Sequence, residues 1–143
     1  MLRWKEQFET GHTVVDAQHR MLVTYLNRLE RMSQNTNPSP EEVVLFFRFT
    51  DFLEGYVITH FKEEEECMHR FRCPAHQQNQ AAHGKFLKFF RDFNRRLELE
   101  GYRPEIIKEL FDACAAWIQE HILRVDTQLK PCRTPFYLSD QTE

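Results

Sequence analysis

Every long amphipathic stretch of this chain carries a histidine on its apolar face, and that repetition constrains the fold more than any other feature. Stepping alternately three and four residues stays on one side of a helix. The first such seam reads Val15, His19, Leu22, Leu26, Leu29, and the second Phe46, Thr50, Leu53, Val57, His60, Glu64, Cys67. The third reads His76, Asn79, His83, Phe86, Phe90, Phe93, Leu97. The fourth reads Ile107, Leu110, Cys114, Trp117, His121, widened by Ile118, Ile122 and Val125. Start and stop signals bound them. Ser39, Pro40 and Glu42 make a capping box with proline at the first helical position, Pro74 and Pro104 open two further segments, and Gly101 can close the third. Helices are predicted near 16–34, 40–69, 74–99 and 104–129. Four such helices on short links predict an all-α, up-down-up-down four-helix bundle with an N-terminal arm. The domain is expected over residues 1–130. Residues 131–143, "PCRTPFYLSDQTE", form a short C-terminal tail or linker.

Thirteen phenylalanines against four glycines fit bulky core layers between long regular elements. Nineteen basic against 22 acidic residues leave a net charge of −3, with no block of either sign, which argues against nucleic acid as a partner. No run approaches the roughly 18 apolar residues of a spanning helix, and "MLRWKEQFE" lacks the apolar core of a signal peptide. No membrane partner and a cytoplasmic location are therefore expected. Cys67, Cys73, Cys114 and Cys132 form no C-x-x-C pair and read as reduced, mainly buried thiols.

A charged or half-charged side chain among buried apolar residues costs several kcal/mol unless it is paired or bound to a metal. One histidine on an apolar seam is an ordinary core residue. His19, His60, Glu64, His83 and His121 on four separate seams, with Asp126 just beyond, are a constellation. His60 and Glu64, four residues apart, can share a metal across adjacent turns, and a carboxylate can join two ions through its two oxygens. His121 and Asp126 are five apart, about 140° around an ideal helix. Either a local bulge or an approach from the flank would be needed to bring them together. Imidazoles with carboxylates and no inward thiolate cluster suit iron or manganese better than structural zinc. With one inward glutamate the chain lacks the four glutamates of a ferritin-like site. Glu63, Glu65 and Glu66 head away from the seam and are assigned to a solvated face, and His12 and His69 lie off it.

"ETGHTVVDAQHRML", "YVITHFKEEEECM", "AAHGKF" and "WIQEHILRVD", in that order from Trp4 to about Leu129, closely resemble the bacteriohemerythrin family of hemerythrin-like proteins. The resemblance implies a non-haem di-iron centre that binds O2 reversibly: two Fe ions joined by an oxo or hydroxo bridge and two carboxylates. Carried over, it makes Glu64 and Asp126 the bridging carboxylates. His19 and His60 would hold the O2-binding iron, and His83 and His121 the other. Trp117 and Ile118 would help wall the O2 pocket. The resemblance also implies a third histidine on the second iron, at the position occupied here by Asn79. His76, one turn earlier on the same seam, is a candidate replacement ligand, water is another, and a site holding fewer metals is a third. The leading expected function is O2 storage, delivery or sensing. The alternatives are a di-iron redox enzyme acting on peroxide or NO, and a sensor input domain serving a signalling partner or output domain.

Overall fold

The computed structural model describes residues 1–129, so the tail expected from 131 lies outside the described residues. Among the described residues four helices make the fold: α1 (Thr13–Ser33), α2 (Pro40–Arg70), α3 (His76–Glu100) and α4 (Pro104–Arg124), preceded by a 3-10 turn at Glu6–Phe8 and followed by another at Asp126–Gln128. Helix α1 packs chiefly on α4 and α2 on α3, and α1–α2 and α3–α4 contacts close the bundle. The up-down-up-down four-helix bundle with an N-terminal arm is the observed architecture.

The caps explain where the helices begin. Ser39 accepts from the Glu42 amide at 3.1 Å, and Glu42 reaches back to the Ser39 amide, also at 3.1 Å. Ser39→Ala should lower thermal stability by about 1 kcal/mol, read from the unfolding midpoint, without moving any site residue. Helix α1 starts three residues earlier than predicted, because the Asp16 carboxylate accepts from the Thr10 amide, the Thr10 hydroxyl and the Gly11 amide and turns the arm into the helix. Helix α3 starts later than its proline suggested. Arg72 adopts φ 55° and Pro74–Ala75 complete a turn, so His76 is the first helical residue. Gly101, at φ 84°, ends α3, its amide bonded to the Leu97 carbonyl at 2.7 Å.

The interior is filled by the seams. Phe46, Phe90, Leu97, Ile107 and Leu110 are each 1% exposed or less. A second apolar cluster of Val15, Met68, Phe71, Ala75 and Leu129 closes the end of the bundle near the polar seam residues. Cys67, Cys73 and Cys114 are buried, and burial pushes the Cys114 thiol up to about 12. Among the described residues no helix is long and apolar enough to cross a membrane.

Candidate metal centre

His19 on α1, His60 and Glu64 on α2, His83 on α3, and His121 at the end of α4 converge inside the bundle with Asp126, each 6% exposed or less. Asp126 gets there because α4 stops. The prediction of a helix near 104–129 is corrected at its end: the helix stops at Arg124, Val125 caps it with φ stretched to −114°, and Asp126 opens a 3-10 turn. The Thr127 hydroxyl and the Gln128 amide side chain donate to the carbonyls of Leu123 and Arg124, both at 2.7 Å. These bonds satisfy helix-end carbonyls that would otherwise lack partners. The break turns Asp126 inward, where an ideal helix would have aimed it about 140° away.

The two carboxylates divide their oxygens between two imidazole pairs. Glu64 Oε2 lies 2.9 Å from His19 Nε2 and 3.5 Å from His60 Nε2, while Oε1 lies 3.2 Å from His83 Nε2. Asp126 Oδ2 lies 3.2 Å from His19 Nε2, and Oδ1 lies 3.1 Å from His121 Nε2. Two overlapping donor sets result: His19, His60 and Glu64 on one side, and Glu64, His83, His121 and Asp126 on the other. Within each set one ligand atom per residue lies within 4.8 Å of all the others.

The donor chemistry fits cations. Asp126 Oδ1 and His83 Nε2 are fully buried and make no hydrogen bond, although each points into the second set. His83 Nδ1 sits 2.9 Å from Glu65 Oε2, an arrangement that places a proton on Nδ1 and aims the Nε2 lone pair at the centre. His60 Nδ1 is likewise tied to Gln18 Oε1 at 2.7 Å, and Gln18 donates in turn to Glu63. Burial pushes the His60 pKa down to about 3 against the pull of Glu64, so this imidazole is neutral and its Nε2 is a ready ligand. For His19, burial acts to lower the pKa, but contacts to Asp126 and Glu64 outweigh it and raise the value to about 10. For Glu64 burial acts to raise the pKa, and the close approach of the His19 and His83 imidazoles overcomes it and holds the carboxyl well below its usual range. In the metal-free protein the proton held on His19 offsets the charge of the buried Glu64 carboxylate.

That balance predicts a stability optimum for metal-free protein. The raised His19 contributes stability that is complete below its ordinary 6.5 and lost as pH rises toward about 10. The depressed His60 contributes stability that is complete above 6.5 and lost as pH falls toward about 3. Thermal melts of chelator-treated protein should peak near neutrality and decline on both sides. A midpoint rising steadily to pH 9 would contradict the His19 environment.

Aromatic faces hold the second pair of rings. Phe61 stacks on His83 at 3.7 Å between centroids with an interplanar angle of 1°, and Trp117 stacks on His121 at 4.3 Å and 11°. Phe61, Trp117 and the buried Ile118 also line a narrow, almost wholly apolar cavity beside the centre.

Three residues differ from expectation or were missed. Glu65, assigned to a solvated face, turns back to His83 with its side chain 20% exposed. Gln18 was not singled out. The signal for both was available: each inward histidine has a second ring nitrogen that needs a partner, and Gln18 and Glu65 are the polar residues beside the seam. His76 is not brought to the centre. Its ring lies 5.4 Å from that of His69, in an open groove also lined by Lys62, Glu65, Glu66 and Gln80. Asn79 reaches the interior instead and is 0% exposed.

The sequence matches the model of the hemerythrin HHE cation binding domain over residues 10–132. It is 28% identical to a bacteriohemerythrin of Clostridium acetobutylicum over 90% of this chain and 98% of the relative. It is 25% identical to a bacteriohemerythrin of Stenotrophomonas maltophilia over 85% of this chain and 74% of the relative. With four helices delivering imidazoles and carboxylates to one buried cluster, and a family match across nearly all the described chain, this protein belongs to the hemerythrin HHE cation binding domain family.

Proposed function

We propose that this protein holds two iron ions in the buried cluster and binds O2 reversibly, as a storage, delivery or sensing module. The observation that carries the reading is the division of Glu64 and Asp126, one oxygen of each toward His19 and the other toward His83 or His121. His19 and His60 would hold one iron and His83 and His121 the other, with both carboxylates shared. Reduced iron would supply the electrons that make O2 binding possible and reversible.

The chain's own residues favour a carrier over a turnover enzyme. Glu65 and Gln18 fix the ring orientations of His83 and His60 through their Nδ1 atoms. Phe61, Trp117 and Ile118 exclude water from the adjoining cavity. Among the described residues the lining of that cavity offers one titratable group, Cys114, whose thiol stays protonated near neutrality. A step that consumes protons finds no donor there.

The test is optical. Protein loaded anaerobically with ferrous iron should develop an absorption band on exposure to O2 and lose it when O2 is removed, with its iron retained. Irreversible oxidation without an O2-dependent band, or sustained consumption of peroxide or NO, would contradict the carrier reading.

A further inference from the structure

Asn79 lies inside the donor cluster and is hydrogen-bonded at both ends of its amide. Its Nδ2 donates to Glu64 Oε1 at 2.7 Å and to Met68 Sδ at 3.3 Å, and its Oδ1 lies 2.6 Å from His121 Nε2. The neighbours dictate this orientation, because an ionised carboxylate and a thioether sulfur can only accept. His121 must then carry its proton on Nε2 to donate to Oδ1. Both atoms engaged, Glu64 Oε1 and His121 Nε2, belong to the set that includes His83 and Asp126. Among the described residues no such amide touches Glu64 Oε2, which faces His19 and His60.

We infer that Asn79 locks one of the two cation subsites, so that the His19–His60 side fills first and the His83–His121 side fills later and more weakly. This rests on the reading of the cluster as a two-cation centre. The asymmetry is geometric. On the His19 side Glu64 Oε2 faces the His19 and His60 imidazoles. On the other side a cation must displace a carboxamide that is already seated on two ligand atoms, Glu64 Oε1 and His121 Nε2. Rotating the amide offers no escape: it would press Oδ1 against the Glu64 carboxylate. With 0% exposure, Asn79 is closed off from the bulk solvent that would replace those bonds at a surface.

Metal-free protein, prepared with a chelator and checked for helicity, is titrated anaerobically with Co2+ against a competing indicator. Two steps are expected, the second at least about tenfold weaker, in the range by which residues behind metal ligands alter affinity. His83→Ala should remove the weaker step and spare the stronger, and His60→Ala the reverse. Asn79→Ala and Asn79→Leu delete all three hydrogen bonds and should tighten the second step about tenfold or more while leaving the first within about threefold. A residue with a merely structural role would weaken both steps when replaced. Two equivalents bound in a single step by the wild type, or a second step weakened in both Asn79 variants, would overturn the lock. The latter result would make the amide a ligand. Absence of any uptake by the wild type would instead overturn the two-cation reading itself.

Discussion

Glu64→Gln should abolish the binding of both cations, lowering affinity at each subsite by more than about 100-fold, beyond what changes outside the ligand set usually cost. Glu64 is 0% exposed and stands between both imidazole pairs, with Oε2 beside His19 and Oε1 beside His83. Glutamine keeps its volume and removes its charge. One of its two ends becomes an NH2 group, a donor facing ring nitrogens whose lone pairs would have to bind metal. The other end is a neutral oxygen, a poorer partner for a dication. The fold should survive, because the seams that build the bundle are apolar elsewhere. His19, raised to about 10 with the help of Glu64, should fall back toward an ordinary imidazole value. Metal analysis after anaerobic loading and desalting, paired with far-UV circular dichroism, is the measurement. Loss of one equivalent with retention of the other would mean that Glu64 is not shared.

Phe90→Ala should give the largest loss of stability among single changes remote from the cluster. Phe90 is 1% exposed, packs beside Phe86 at 6.1 Å between ring centroids, and borders the narrow apolar cavity. Truncating a buried phenylalanine costs about 3–5 kcal/mol, and the upper part of that range applies where the site cannot collapse. Here the new void joins an existing one, so little relaxation is expected. Against a total stability of about 5–15 kcal/mol this is a large fraction. The thermal midpoint of the metal-free protein should drop by roughly 6–20 °C. A drop under about 2 °C would show that the wall repacks. Cation affinity should change little, since Phe90 donates no ligand atom.

Much of this arrangement is legible in the sequence. Phe90 and Glu64 both fall on seams, and periodicity places seam residues well because one face of each helix must meet the other three. His19, His60, His83 and His121 are placed by the same logic. Asp126 is different. Its inward position depends on α4 ending at Arg124, and that end is set by side chains of Thr127 and Gln128 bonding back to carbonyls, a local event without a period. Glu65 departs from its expected solvated face for a related reason. Its direction follows from a partner on another helix, the Nδ1 of His83, and a helical wheel contains no information about neighbouring helices. His76 and Asn79 share a seam, and only the start of α3 separates their fates. His76 is the first residue of the helix, nearest the surface turn, while Asn79 lies most of a turn deeper. The O2 chemistry itself belongs to the resemblance and the family match rather than to spacing.

The division of Glu64 and Asp126 between two imidazole pairs predicts two irons that share both carboxylates. A crystal structure of protein saturated with iron, with anomalous scattering measured at the iron edge, tests it most directly. Two peaks are expected, one beside His19 and His60 and one beside His83 and His121, each bonded to both Glu64 and Asp126. A single peak at saturation, or iron in the His69–His76 groove with the buried cluster empty, would contradict the account.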